Sequence, residues 1–379
     1  MNNRKKIAVN TRFLIRNKLE GIGLFTYESL KLITASHPEI DFYFLFDRPF
    51  DPEFIFGENV KPVVLFPQAR HPFLWYWWFE ISVACWLNKN KPDLFLSPDA
   101  YGCLNTNVRQ VIVIHDLAHE HFTDHVYGLA TRYYRYFMPR FAQKAKYIAT
   151  VSEFSKQDIV QRYHIPAERI GVVYNGAKDV YHPVNGEIKL KVKNRYSAEK
   201  GYFVYVGSIH PRKNVKNLLL AFEQFKAETN SDLKLLIVGR KAWDFEDVDS
   251  AHAQMKFKDE VQFLGHLPPE ELAEIVASAY AMVYVSLFEG FGIPIIEAMS
   301  CEVPVITSNT TSMPEAAGDA AFLVDPASVE AIADAMEQLA GDQNLRNALI
   351  EKGKVQIKKF SWQLTAEKLW GLCEKAMSL

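Results

Sequence analysis

Two doubly wound α/β domains are the predicted fold, and three observations predict them. Short apolar runs rich in β-branched and aromatic residues alternate with longer stretches of helical periodicity, and this alternation occurs twice along the chain. Several of the runs are hydrophobic throughout, as parallel strands covered on both faces require. At 379 residues the chain exceeds the usual size of a single core.

In the first half the strand-like runs are 7–9, 42–46, 63–66, 94–97, 111–115, 147–151 and 170–174. In the second they are 203–207, 235–239, 261–264, 281–285, 304–307 and 321–324. Between them lie helical patterns. Ile332, Met336 and Leu339 share one face behind a capping Ser328, and Tyr133, Phe137 and Phe141 recur every four residues on a helix containing Pro139. The boundary is placed in 181–201, where a Tyr-His-Pro turn leads into a lysine-rich stretch. This gives a first domain 1–182, a second domain 183–360, and a last helix, 361–379, packing back on the first.

Composition narrows the function. Hydrophobic residues make up 49% and charged residues 23%, which excludes disorder. A net charge of −2 removes the basic excess expected of a nucleic-acid binder. Cys85, Cys103, Cys301 and Cys373 show no metal-binding or disulfide spacing and read as reduced thiols of a cytoplasmic protein. No run approaches the roughly 20 apolar residues of a membrane span, and the apolar run after Lys6 is too short for a signal peptide.

The strongest motif is Glu289-Gly-Phe-Gly-Ile-Pro-Ile-Ile-Glu297, directly after a strand. Gly290 and Gly292 allow a tight turn, and Pro294 suits the first turn of a helix. The amides around Phe291 and Ile293 would then face an anion. Glu289 is expected in the loop before the helix and Glu297 on its first turn, two carboxylates able to accept hydrogen bonds from sugar and ribose hydroxyls. Its competitor is a plain strand-to-helix turn with solvated glutamates.

This motif resembles the signature of the retaining GT-B glycosyltransferases of family 4 (glycosyl transferases group 1). Val151-Ser-Glu-Phe-Ser-Lys, Tyr174-Asn-Gly and Gly318-Asp-Ala-Ala-Phe-Leu-Val-Asp-Pro326 are similar to further stretches of that family. The resemblance implies two facing Rossmann-like domains and a retaining transfer with neither bound metal nor other cofactor. The co-substrate it implies is a nucleotide diphosphate sugar, such as GDP-mannose or a UDP-sugar. It also implies that Glu289 contacts the donor sugar and Glu297 the ribose. The Ser-Glu-Phe-Ser-Lys and Asn309-Thr-Thr-Ser-Met-Pro-Glu315 stretches lean toward bacterial mannosyltransferases of surface polysaccharide assembly, with a glycan or lipid-linked glycan as acceptor.

Gly207-Ser-Ile-His-Pro-Arg-Lys-Asn214 follows another strand. A leaving diphosphate needs fixed cations, and Arg212 and Lys213 supply a fork and a point charge. Here the chain departs from its relatives: Ser208 stands where many carry arginine, and Arg212 where they often carry glutamate. A solvated basic turn is the competing reading. Gly265, His266 and Leu267 occupy the place where relatives hold the nucleobase with backbone groups.

His115 ends an apolar strand and matches the family histidine that contacts the donor sugar; a buried structural histidine competes with that role. Closure is expected to bring it and Gly23, in the Gly21-Ile-Gly23 loop, against the donor. His115, His119, His121 and His125 imitate a zinc-protease helix but lack its glutamate, and no metal site is assigned. Asp247-Val-Asp249, beside Asp244 and Glu246, matches a metal triplet of another architecture only by coincidence. The segment Phe73-Leu-Trp-Tyr-Trp-Trp-Phe79 reads as core, as an acceptor wall, or as a patch for peripheral membrane contact. Two rivals remain: a nucleotide-sugar epimerase on the same fold, and a non-catalytic nucleotide or sugar binder.

Overall fold

The computed structural model describes residues 4–122, 128–240 and 246–378. Every one of the thirteen apolar runs forms a strand. The first unit holds β1 (Lys6–Asn10), β2 (Asp41–Phe46), β3 (Val60–Val64), β4 (Leu94–Ser97), β5 (Gln110–Ile114), β6 (Tyr147–Thr150) and β7 (Ile170–Val172). The second holds β8 (Tyr202–Val206), β9 (Lys234–Val238), β10 (Val261–Gly265), β11 (Ala281–Tyr284), β12 (Val305–Ser308) and β13 (Ala321–Val324).

Both sheets are parallel and doubly wound. Their orders are β3-β2-β1-β4-β5-β6-β7 and β10-β9-β8-β11-β12-β13. In each, the order reverses beside the first strand, between β1 and β4 and between β8 and β11. Ligands of such sheets collect beyond the strands' carboxyl ends at that reversal. Burial explains the uniform hydrophobicity: β5, β8 and β11 are buried at every position. Pro62, which cannot donate to a ladder, lies on the edge strand β3.

The two compact units are 4–175 with 362–378, and 176–361. The expected boundary at 182/183 therefore moves to 175/176. Tyr181, on the second-unit side of that division, is buried and hydrogen-bonded to Glu297. The last helix, Trp362–Ser378, lies against helix Ile22–Ser36 and the strands β4 to β7 of the first unit. Trp370 stacks on His37 at 3.9 Å, and Leu372 fills the space beside Gly171. Ser328 caps helix Val329–Gly341 by accepting the Ala331 N–H, and helix Leu129–Lys144 runs through Pro139.

The aromatic segment divides its residues between core and surface. It forms helix Pro72–Trp77, a π-helical turn Trp78–Val83 and helix Ala84–Asn90. Trp78 and Phe79 are fully buried, whereas Phe73, Tyr76 and Trp77 face solvent.

Candidate functional site

In the second unit, the loops after β8 and β11 are sewn together. His210 Nδ1 accepts the Arg212 N–H and starts a short turn, Pro211–Lys213, which ends at Asn214 in the left-handed conformation. The Asn214 amide donates to the carbonyls of Val285 and Pro326 at 2.9 and 2.7 Å. The Leu287 N–H donates to the Arg212 carbonyl at 2.8 Å. Arg212 and Lys213 are thereby fixed against the loop that carries Glu289.

The side chains converge. Lys213 Nζ lies 2.5 Å from Glu289 Oε1, and Arg212 Nη1 lies 3.1 Å from Oε2 and 2.7 Å from the Phe288 carbonyl. The Tyr284 hydroxyl donates to Glu289 at 2.9 Å and accepts from Lys213 at 2.8 Å. Burial alone would raise the Glu289 pKa, but Lys213 and then Arg212 outweigh it and hold the carboxyl at about 2. Glu289 is ionised at neutral pH, and two cations share one carboxylate. The cluster keeps a net positive charge beside a glycine turn, an arrangement suited to an anion.

Gly290, Phe291 and Gly292 lead into helix Ile293–Ser300. Gly292 caps it at φ 99°, a conformation that strains any residue with a Cβ, and Pro294 occupies its first turn. Phe291 is buried with its ring 5.3 Å from Phe360. Ser312 Oγ donates to the Glu289 carbonyl at 2.8 Å, so the Asn-Thr-Thr-Ser stretch braces the same loop.

Glu297 differs from its expected position: it is the fifth helical residue, one turn inside the helix rather than on its first turn. It is buried beside Tyr181, which donates to it, and near Lys178. Burial raises its pKa to about 7, and Lys178 and Tyr181 offset only part of that rise. Of the remaining second-unit candidates, Gly207 follows β8, Ser208 and His266 are exposed, and Gly265, the last residue of β10, and Leu267 are half-buried. The Gly207 N–H donates to Val238, and the Ser208 carbonyl accepts from Tyr205 at 3.2 Å.

In the first unit, His115 follows β5 directly. Its Nε2 lies 2.9 Å from the Pro98 carbonyl, Phe25 meets its ring edge-on at 4.9 Å, and Ser155 donates to its carbonyl. A carbonyl only accepts, so Nε2 carries the hydrogen and Nδ1 is left as the acceptor. Burial lowers its pKa, and the hydrogen bond to Pro98 and the charges of Asp116 and Asp99 offset this only in part, so the ring is neutral near pH 7. Ser152 caps helix Glu153–Tyr163, and Ser155 holds His115, which gives the Ser-Glu-Phe-Ser stretch its local purpose. Gly23 is the second residue of helix Ile22–Ser36, where a Cβ would come 2.9 Å from the Phe13 carbonyl. Close packing therefore accounts for this glycine without a ligand.

The histidine and aspartate clusters hold other partners among the described residues. His119 Nε2 meets the Tyr163 hydroxyl at 3.0 Å and His121 Nε2 meets Asp158 at 2.8 Å, while His125 lies outside the described residues. Asp247 pairs with Lys216 on an exposed helix face, and Asp244 is also outside the described residues. Tyr284, Tyr181 and Lys178 were not readable as site residues, because their contacts are set by long-range packing. One further cluster lies at the β1/β4 reversal. There a buried Arg12–Asp99 pair is held by Asn10 and Ser97, with the guanidinium 4.1 Å from the Tyr101 ring centre.

Comparison with known proteins agrees with this construction. The sequence model "Glycosyltransferase Family 4" matches residues 21–179, and "Glycosyl transferases group 1" matches residues 187–356. The chain is 37% identical over 220 residues to O-antigen chain mannosyltransferase B of Escherichia coli, covering 58% of each chain. It is 28% identical to O-antigen chain mannosyltransferase RfbU of Salmonella typhimurium, covering 67% of each. The match thus spans less than two thirds of the first relative's length. Among solved structures, sucrose-phosphate synthase of Thermosynechococcus elongatus superposes with TM-score 0.79 at 17% identity, over 99% of this chain and all of that one. Anabaena HepE in complex with UDP and glucose gives 0.75 at 17%, over the same shares. At such identity the likeness is one of fold. With the two models matching its two halves in order, the chain belongs to the GT-B-fold glycosyltransferases of family 4 and group 1.

Proposed function

We propose that the protein transfers a hexose, mannose, from a nucleoside diphosphate donor to a glycan or lipid-linked glycan in surface polysaccharide synthesis. The observation that carries this reading is the Arg212–Lys213–Glu289 cluster at the β8/β11 reversal. Breaking the bond between the sugar's anomeric carbon and the diphosphate places new negative charge on the leaving oxygen. The two cations, already oriented by Glu289 and the loop carbonyls, stabilise that charge without reorganising. In this reading the transfer needs no metal, since Arg212 and Lys213 take its electrostatic part. It is also retaining: the acceptor oxygen bonds the anomeric carbon on the face the diphosphate leaves, and its proton passes to the departing phosphate oxygen.

In this reading Glu289 accepts from donor-sugar hydroxyls and Glu297 from the ribose. Two relatives named O-antigen mannosyltransferases support mannose, and HepE, solved with UDP and glucose, supports a nucleotide site in this fold. A thermal-shift panel of nucleoside diphosphates and their sugars tests the donor: a ligand at a hundred times its Kd adds about 2.7 kcal/mol of stability. Product analysis with the bound donor and lipid-linked glycans then decides the reaction. Isomerised donor formed without acceptor would replace this reading with an epimerase, and binding with no turnover on any acceptor would leave a binding protein.

A further inference from the structure

The first unit exposes an aromatic stripe that neither its core nor the donor cluster explains. Phe73, Trp77 and Ile81 recur every four residues along 72–90, with exposures of 68%, 53% and 39%. Phe66, 68% exposed, joins them where its carbonyl accepts from Ser82. On the neighbouring helix Leu129–Lys144, Phe137 connects Tyr76 and the exposed Tyr136, with ring centres 5.8 and 4.8 Å away. Single exposed apolar residues are ordinary, but a contiguous run of large rings marks an interaction surface.

The two segments that build the stripe carry charge almost wholly of one sign. Between residues 62 and 92 the sequence has a single carboxylate, Glu80, and between 129 and 146 it has none. Glu80 is buried and accepts the backbone N–H groups of Leu104 and Asn105, so it does not face solvent with the rings. The same stretches carry three and five Lys and Arg residues, in a chain whose net charge is −2. Arg70 is exposed close to the start of the stripe, and Arg140 lies over the Tyr136 ring at 3.6 Å from its centre. Aromatic rings flanked by cations fit the headgroup level of an anionic bilayer, where rings settle and cations meet phosphates. A second copy fits less well, because two-fold pairing of this face would set arginines against arginines.

We infer that this face, built from 66–81 and Leu129–Lys144, docks the protein on an anionic lipid surface. The inference deepens the proposed transfer to a lipid-linked acceptor, because such a docking face holds the enzyme where that acceptor is presented.

Co-sedimentation of the full chain tests it, with vesicles of phosphatidylcholine alone and of phosphatidylcholine and phosphatidylglycerol in equal parts. Binding is expected on the anionic vesicles and is expected to weaken as salt rises. Phe73→Ser with Trp77→Ser should lower affinity at least about tenfold, and Arg140→Glu about fivefold. Nucleoside diphosphate thermal shifts should be unchanged in both variants, which also shows that they fold; should the double variant fail to fold, Arg140→Glu decides. Three results would overturn the inference: no anionic-vesicle binding at low salt, undiminished binding by a folded variant, or a dimer of the wild type that Trp77→Ser dissolves. A wild-type chain that shows nucleotide shifts but binds no anionic vesicles sinks docking alone, and one that binds the vesicles but shows no nucleotide shift sinks the donor site alone.

Discussion

Each unit places an ion pair where its strand order reverses, and the two pairs are built for different ends. Arg12 follows β1 and Asp99 follows β4; Lys213 follows β8 and Glu289 follows β11. In the first unit the side chains are 6% and 3% exposed, and Phe13, Phe79 and Tyr101 surround the guanidinium. In the second, Arg212 keeps 22% and Lys213 13% of its surface, and a carboxylate is shared by two cations. Position in the fold is therefore not enough to mark a binding site. Charge balance and residual exposure separate a pair that closes a core from one that can receive an anion.

The contrast is broken most severely by Arg12→Ala. Leaving Asp99 buried without its cation should cost about 3–5 kcal/mol, read from urea unfolding by the tryptophans, six of whose seven lie in the first unit. Nucleoside diphosphate affinity of the folded fraction should not change. Lys213→Ala should instead act mainly on chemistry, lowering transfer roughly 10²-fold or more, with a smaller loss of stability because Arg212 still pairs with Glu289. Undiminished turnover in that variant would remove Lys213 from the mechanism.

Two finer tests separate the carboxylates within the second unit. Glu289 has a lowered pKa, so its contribution to stability is present above the ordinary value of 4.5 and is lost as pH falls toward about 2. Glu297 is the opposite case. Its raised pKa means that stability falls as pH climbs from 4.5 toward about 7, and Glu297→Gln should flatten that slope. If Glu297 accepts from the ribose, nucleotide binding should also tighten through about pH 7 in wild type more than in the variant. Tyr181→Phe, which removes one hydrogen bond to Glu297, should weaken nucleotide binding about threefold to tenfold and move that pH dependence upward. An unmoved profile would make Tyr181 merely a packing residue.

The sheets were legible because parallel strands under helices must be apolar on both faces, so each announces itself without its neighbours. The start of helix Ile293–Ser300 was legible for a local reason too: Gly292 and Pro294 encode it within three residues. What escaped depends on distance in sequence. Nothing near Arg12 signals Asp99, 87 residues on, and Tyr284 and Tyr181 look like ordinary aromatics until folding brings carboxylates to their hydroxyls. The aromatic segment resisted one label because its rings serve the core and the surface by turns.

The return of helix Trp362–Ser378 to the first unit has a consequence for synthesis. The ribosome completes residues 176–361 before it makes the piece that covers helix Ile22–Ser36 and strands β4 to β7. The half made second can thus mature first, while the half made first waits with the seats of Trp362 and Trp370, beside Phe25 and His37, still uncovered. A nascent chain paused near residue 361 should therefore expose apolar surface that the finished protein covers.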